Sequence, residues 1–258
     1  MRTSMASTLV LLAAALVPAP LSAQWPVNDR TVQRHGDGTA ILTGPAPRRP
    51  DGKPDLTGVW VADPPRLRDL SLALKAGDTI VMKPDAQAIF DKRKTGALSG
   101  LDPDANCLPQ GVPKVNMTPV PFKILQQPDL VVVLYEAFSW YRQFFMDGRA
   151  LPADPNPQWF GYSTARWDGD SLVVDSSGFN GKAWLDQLGR PSTESLKVTE
   201  RFRRIDVGHM EVQATIDDPG AYLKPFTVIQ PLKRVTEGDL LENVCNENNK
   251  DLEHLPGR

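Results

Sequence analysis

The stretch Gly161-Tyr-Ser-Thr-Ala-Arg-Trp-Asp-Gly-Asp-Ser-Leu-Val-Val-Asp-Ser-Ser-Gly-Phe-Asn180 sets two alternating runs about the pair Asp168-Gly169. Asp-Gly between such runs is a strong local signal for a β-hairpin with a tight type I′ turn. The same period of two continues on both sides. Upstream, Leu130–Glu136 and Trp140–Met146 alternate, the second ending at Asp147-Gly148. Downstream, Leu196–Arg204 and Met210–Ile216 alternate around Asp206-Val-Gly208, and Phe226–Lys233 follows, with Pro231 expected at an edge or bulge. Leu56–Val61 supplies a first strand.

Only one segment departs clearly from this period. Pro84–Arg93 reads as a helix, opened by Pro84 and Asp85 and closed by Lys92 and Arg93. Seven or eight short strands joined by turns predict a mainly β fold: an antiparallel meander closing into a lipocalin-like barrel. A β-sandwich is the alternative, because alternation does not report closure. One short helix and long Pro-rich loops complete it; the chain holds 24 prolines, more than a helical protein tolerates.

Residues 1–23 read as a secretory signal. Arg2 precedes the apolar Leu9–Val17 run, and Leu21-Ser22-Ala23 offers small residues for cleavage. That run is too short to span a bilayer, and no second one follows, so no membrane anchor is expected. Residues 24–55 form an extended Pro/Gly-rich lead, and residues 56–258 a single barrel-like domain. Loss of Arg2 leaves 28 basic against 31 acidic residues, a net charge of −3. Nothing in that balance attracts nucleic acid. In an exported chain the two cysteines, Cys107 and Cys245, most simply form a disulfide, with two free thiols as the alternative. Loop-closure entropy over so long a span credits the bridge with about 5 kcal/mol at most.

The chemistry is less legible. His35, His209 and His254 are scattered and match neither a zinc site nor a Ser-His-Asp arrangement. Phosphate-cradling glycine motifs are missing, and no metal or cofactor is implied. Period two places Leu130, Val132, Leu134, Glu136, Phe138, Trp140, Arg142 and Phe144 on one face if the register carries through the turn. Leu196, Val198, Glu200 and Phe202 share another face, and Tyr162, Thr164 and Arg166 a third. Charges among large apolar groups are what a pocket in a barrel needs. Glu136 and Glu200 are therefore candidate acid–base carboxylates. Arg142, Tyr162 and Arg166 are candidate ligand contacts, and Trp159, Trp184 and Tyr222 candidate aromatic walls. Cross-strand ion pairs on a sheet surface are the competing account of the Glu and Arg residues.

Several short motifs occur together: Cys107-Leu-Pro-Gln-Gly-Val-Pro113, the Gly161–Asn180 segment, Glu200-Arg-Phe-Arg203, and Cys245-Asn-Glu-Asn-Asn-Lys-Asp251. In this combination, over residues 54–258, the chain resembles a group of exported, largely uncharacterised bacterial proteins. The resemblance implies that the two cysteine motifs belong to one design, and it implies no activity. Members carry Pro-His-Ser ahead of the Leu196 strand; here Pro191-Ser192-Thr193 stands there, so no chemistry of that histidine carries over. Gly58-Val59-Trp60 is similar to the Gly-x-Trp of lipocalin-like first strands.

Three functions follow as expectations. The first is an exported, periplasmic or secreted barrel that binds a small apolar or aromatic molecule. The second is a cofactor-independent acid–base enzyme on the same scaffold. The third is a structural or interaction module of the cell envelope. Oligomeric state is not legible.

Overall fold

The computed structural model describes residues 29–245 and residue 247. Residues 1–23, expected to be a signal segment, and His254 lie outside the described residues. Nine strands close into a barrel: β1 Gly58–Ala62, β2 Phe122–Gln126, β3 Leu130–Tyr135, β4 Tyr141–Phe145, β5 Tyr162–Asp168, β6 Ser171–Ser177, β7 Lys197–Arg204, β8 His209–Asp217 and β9 Phe226–Val235. One α-helix, α1, spans Pro84–Arg93, with Pro84 in its first turn and Ala86 and Phe90 buried.

Closure with nine strands forces one exception to the meander. An odd number of strands cannot alternate direction all the way round, so one neighbouring pair must run parallel. That pair is β4/β5, joined only at Phe144↔Ser163 and Phe145↔Thr164. A parallel step needs a long connection back to the starting end of the barrel. Residues 146–161 supply it, rich in proline and without strand or helix. With the odd step made there, β1 and β9 meet antiparallel, Val59↔Val235 through Ala62↔Leu232.

The deciding hairpin forms one residue later than expected. Asp168 pairs with Ser171, so the loop residues are Gly169 and Asp170. Gly169 has φ +58 while Asp170 is not in the left-handed region, which fits glycine at the first loop position of a type II′ turn rather than type I′. Pro231 lies at no edge. It sits just past the last β1 pair, where its carbonyl accepts the Asp63 amide at 3.0 Å. The sequence reading also missed β2, which follows directly on a proline-rich loop.

Residues 29–55 pack along the barrel. Asp29 takes two hydrogen bonds from Arg234, Leu42 accepts the Gly208 amide, and Arg48 pairs with Asp170 at the tip of the deciding hairpin. Trp60 is fully buried. Its indole N–H donates to the Leu56 carbonyl, and the Arg204 and Arg234 guanidiniums lie over its ring at 5.1 and 5.7 Å. Cys107 and Cys245 form the disulfide, tying the middle loop to the end of the described chain. Among the described residues no helix is long and apolar enough to cross a membrane.

The barrel interior is filled by two apolar clusters. One gathers Trp60, Phe122, Val133, Phe144, Phe202 and Leu232; the other Met117, Leu185, Val198, Ile216, Phe226 and Val228. Along β7 the inward residues run Val198, Glu200, Phe202, so a buried carboxylate stands between the clusters.

Candidate functional site

Inward and outward faces follow from burial along each strand. In β3 the buried residues are Val131, Val133 and Tyr135, and in β4 they are Arg142 and Phe144. The face expected from Leu130 through Glu136 is therefore the outer one. Phe138 and Ser139, at φ +57 and +56, turn the chain between β3 and β4 and change its phase. Arg142 consequently opposes Val133, and Glu136 leaves the interior.

Arg142 and Glu200 meet inside the barrel, with side chains 1% and 0% exposed. Arg142 Nη2 donates to Glu200 Oε2 at 2.5 Å, and Nη1 to Oε1 at 3.3 Å. Asn116 Nδ2 also donates to Oε1 at 2.7 Å, while the Tyr135 hydroxyl donates to Asn116 Oδ1 at 2.8 Å. Arg142 Nη2 reaches Ser176 Oγ, which lies 2.8 Å from Ser163 Oγ. Burial pushes the Tyr135 hydroxyl up to about 12, Glu200 adding to the rise and Arg142 opposing it. Burial alone would lower Arg142, but the Glu200 charge beside it and Tyr135 hold it above its ordinary value. Both Glu200 oxygens are thus engaged by donors, and the guanidinium is charge-neutralised.

This network lies under a cleft of about 400 Å³ at the β4/β5 seam. The cleft exists because the two strands pair only beyond Arg142; before that point they diverge. Six aromatic side chains wall it: Trp140, Tyr141, Phe145, Trp159, Phe160 and Tyr162. Phe160 stacks on Tyr135 at 6.3 Å and packs against both core clusters, wedging the seam. Gly161 makes the approach possible. Its φ is +63, and a Cβ there would lie 2.5 Å from the Ser177 carbonyl oxygen. A wider hollow of about 990 Å³ beside the 151–157 segment presents a single aromatic ring, Phe179.

The structure brings three of the expected site residues, Arg142, Trp159 and Tyr162, to this cleft, with Glu200 beneath it. The Tyr162 hydroxyl donates to the Asn156 carbonyl and ties down the crossover. The others go elsewhere. Glu136 Oε2 accepts the Leu241 amide at 2.9 Å, on the outside. Arg166 pairs with Asp175 across the outer face of the hairpin, the sheet-surface ion pair weighed above. Trp184 is buried under Arg93, whose guanidinium lies 4.4 Å from its ring centre. Tyr222 is buried, donates to the Pro191 carbonyl and packs edge-on against Phe226. Sequence reasoning passed over Tyr135, Asn116 and Phe160. Trp140 shares the inner face with Arg142, a signal that period two alone carried.

No family model matches the chain. A search of curated proteins likewise returned no match. Among solved structures the chain is similar to a mutant of the fluorescent protein UnaG, with a TM-score of 0.33 and 14% identity, over 70% of this chain and 97% of that one.

Proposed function

We propose that this is an exported small-molecule-binding protein whose apolar or aromatic ligand sits in the β4/β5 cleft, periplasmic or secreted. One observation carries the reading: six aromatic side chains converge on a cleft that ends at a buried, neutralised Arg142–Glu200 pair. Aromatic walls supply contact area at little entropic cost, and a few polar groups at the base fix orientation. The filled barrel centre favours the seam over an open cup as the place for a ligand. Export is supported by the signal-like residues 1–23 and by the disulfide. A net charge of −3 after signal removal argues against nucleic acid as partner. The acid–base enzyme gains less support, since neither Glu200 oxygen is free to take a proton from a substrate without breaking its bonds to Arg142 or Asn116.

The test is a thermal-shift screen of small aromatic metabolites on the wild-type chain and on Trp159→Ala. A ligand at 100 times its Kd stabilises by about 2.7 kcal/mol, which is readily seen as a higher Tm. The reading predicts at least one stabilising compound and a weaker effect in the variant. Absence of any stabilising compound at millimolar concentration, or equal stabilisation of Trp159→Ala, would refute it.

A further inference from the structure

Two buried N–H groups of residues that line the cleft have no acceptor among the described residues: Trp140 Nε1 and Arg142 Nε. Both are shielded from solvent, and both belong to residues lining the cleft. Trp140 and Arg142 are two apart on an extended segment, so their side chains leave the same, inner face of β4. An unmet donor in such surroundings is costly, and a ligand that brings an acceptor recovers that cost. The walls around them are aromatic. Among the described residues Arg142 is the only charged one lining the cleft, and its charge is already balanced by Glu200 at 2.5 Å.

From this we infer that the ligand of the cleft is a neutral aromatic carbonyl compound (an aryl ketone, aldehyde or amide) whose oxygen accepts from Trp140 Nε1 and Arg142 Nε. The inference rests on the cleft-binding reading above. Charge decides between acceptors. A carboxylate would place a second negative charge beside Glu200 with one cation between them, leaving a net buried charge of −1, which is strongly disfavoured away from water. A carbonyl oxygen accepts the same N–H groups without that penalty. Trp140 is then the specificity-determining residue, because it distinguishes a ligand with an acceptor from an apolar one of equal shape. Discrimination of this kind is large because the wrong ligand leaves the buried donors unpaired.

Three probes with one ring system separate the possibilities: 2-acetonaphthone, 2-ethylnaphthalene and 2-naphthoate, measured by equilibrium dialysis. The ketone is expected to bind about tenfold or more tightly than the hydrocarbon, the worth of one well-shielded hydrogen bond, and more tightly than the carboxylate. In Trp140→Phe the ketone's advantage over the hydrocarbon should shrink at least about threefold. A second measurement needs no variant to bind. In ¹⁵N-labelled wild-type protein the Trp140 indole N–H resonance, assigned by its loss in Trp140→Phe, should move downfield on saturation with the ketone. Equal binding of ketone and hydrocarbon, an unmoved indole resonance, or naphthoate as the tightest probe overturns the neutral-acceptor inference while leaving an aromatic-binding cleft standing. If none of the three binds, and the aromatic screen finds nothing, the cleft reading itself falls and the inference with it.

Discussion

Arg142 on β4 and Glu200 on β7 join across the barrel interior at 2.5 Å, between two apolar clusters and out of reach of solvent. Neither strand neighbours the other in the barrel order, so the pair ties opposite walls together. A buried pair of this kind gives modest net stability when intact, yet is costly to break.

Removal of one member should therefore be severe. Glu200→Ala leaves a guanidinium without its counter-charge and is expected to cost about 3–5 kcal/mol in urea unfolding. The double variant Arg142→Met with Glu200→Leu should recover most of that loss. A single-variant cost below about 1 kcal/mol would mean that the charge is not desolvated.

Alkaline pH should weaken the fold through Tyr135. Its folded pKa of about 12 lies above the ordinary tyrosine value near 10, so the folded state holds the proton more tightly. The associated stability is fully present below pH 10 and is lost as pH rises from about 10 towards 12. Tyr135→Phe, though less stable at neutral pH for want of the bond to Asn116, should show a shallower decline over that window. Unfolding curves at fixed alkaline pH values check it; identical slopes in the two proteins would remove Tyr135 from the account.

The disulfide closes a span of 138 residues. Replacing both cysteines by serine should lower stability by up to about 5 kcal/mol, the loop-entropy limit. Because Cys245 is the described chain's last anchor after β9, the variant should also be cut by protease near residues 236–245 at lower enzyme concentrations than the wild type. Equal cleavage of the two would show that the bridge does not hold the tail.

Gly161→Ala tests the geometry of the seam. A methyl group there meets the Ser177 carbonyl at 2.5 Å in a backbone region that L residues avoid. A loss of about 1–3 kcal/mol is expected, with weaker ligand binding at the cleft because Phe160 is the next residue. Wild-type stability in the variant would place the glycine's importance elsewhere.

Strands that alternate between polar and apolar residues declared both their existence and their inner face. In Leu196–Phe202 the inward set Val198, Glu200 and Phe202 was readable directly from the sequence. In Leu130–Tyr135 every residue is apolar, so period two carries no phase, and the inner and outer faces were exchanged. Glu136 was misplaced with them. β2 is five residues long and abuts the prolines at 119 and 121, which mask its start. Arg142, Trp159 and Tyr162 could be nominated as individual residues. Their meeting could not, because it depends on a parallel contact between β4 and β5 that no local pattern encodes. The same holds for Asn116, which approaches Glu200 from a short 3-10 helix, Lys114–Met117, 84 positions away.

The two-pair β4/β5 seam also bears on how the barrel assembles. Strands β2–β4 and β5–β9 are each antiparallel runs of sequence neighbours, whereas β1 lies far from β2 in the chain and meets β9 from the other end, and β4/β5 are joined by only two parallel pairs. With three pairs in β1/β2, four in β1/β9 and two in β4/β5, the β4/β5 contact is the weakest clasp in the barrel. Amide exchange should therefore proceed first along β4 and β5, and the barrel should breathe at the very place where the aromatic cleft lies. If the proposed ligand binds there, its entry to Arg142 requires no unfolding of the body, only a brief parting of its thinnest seam.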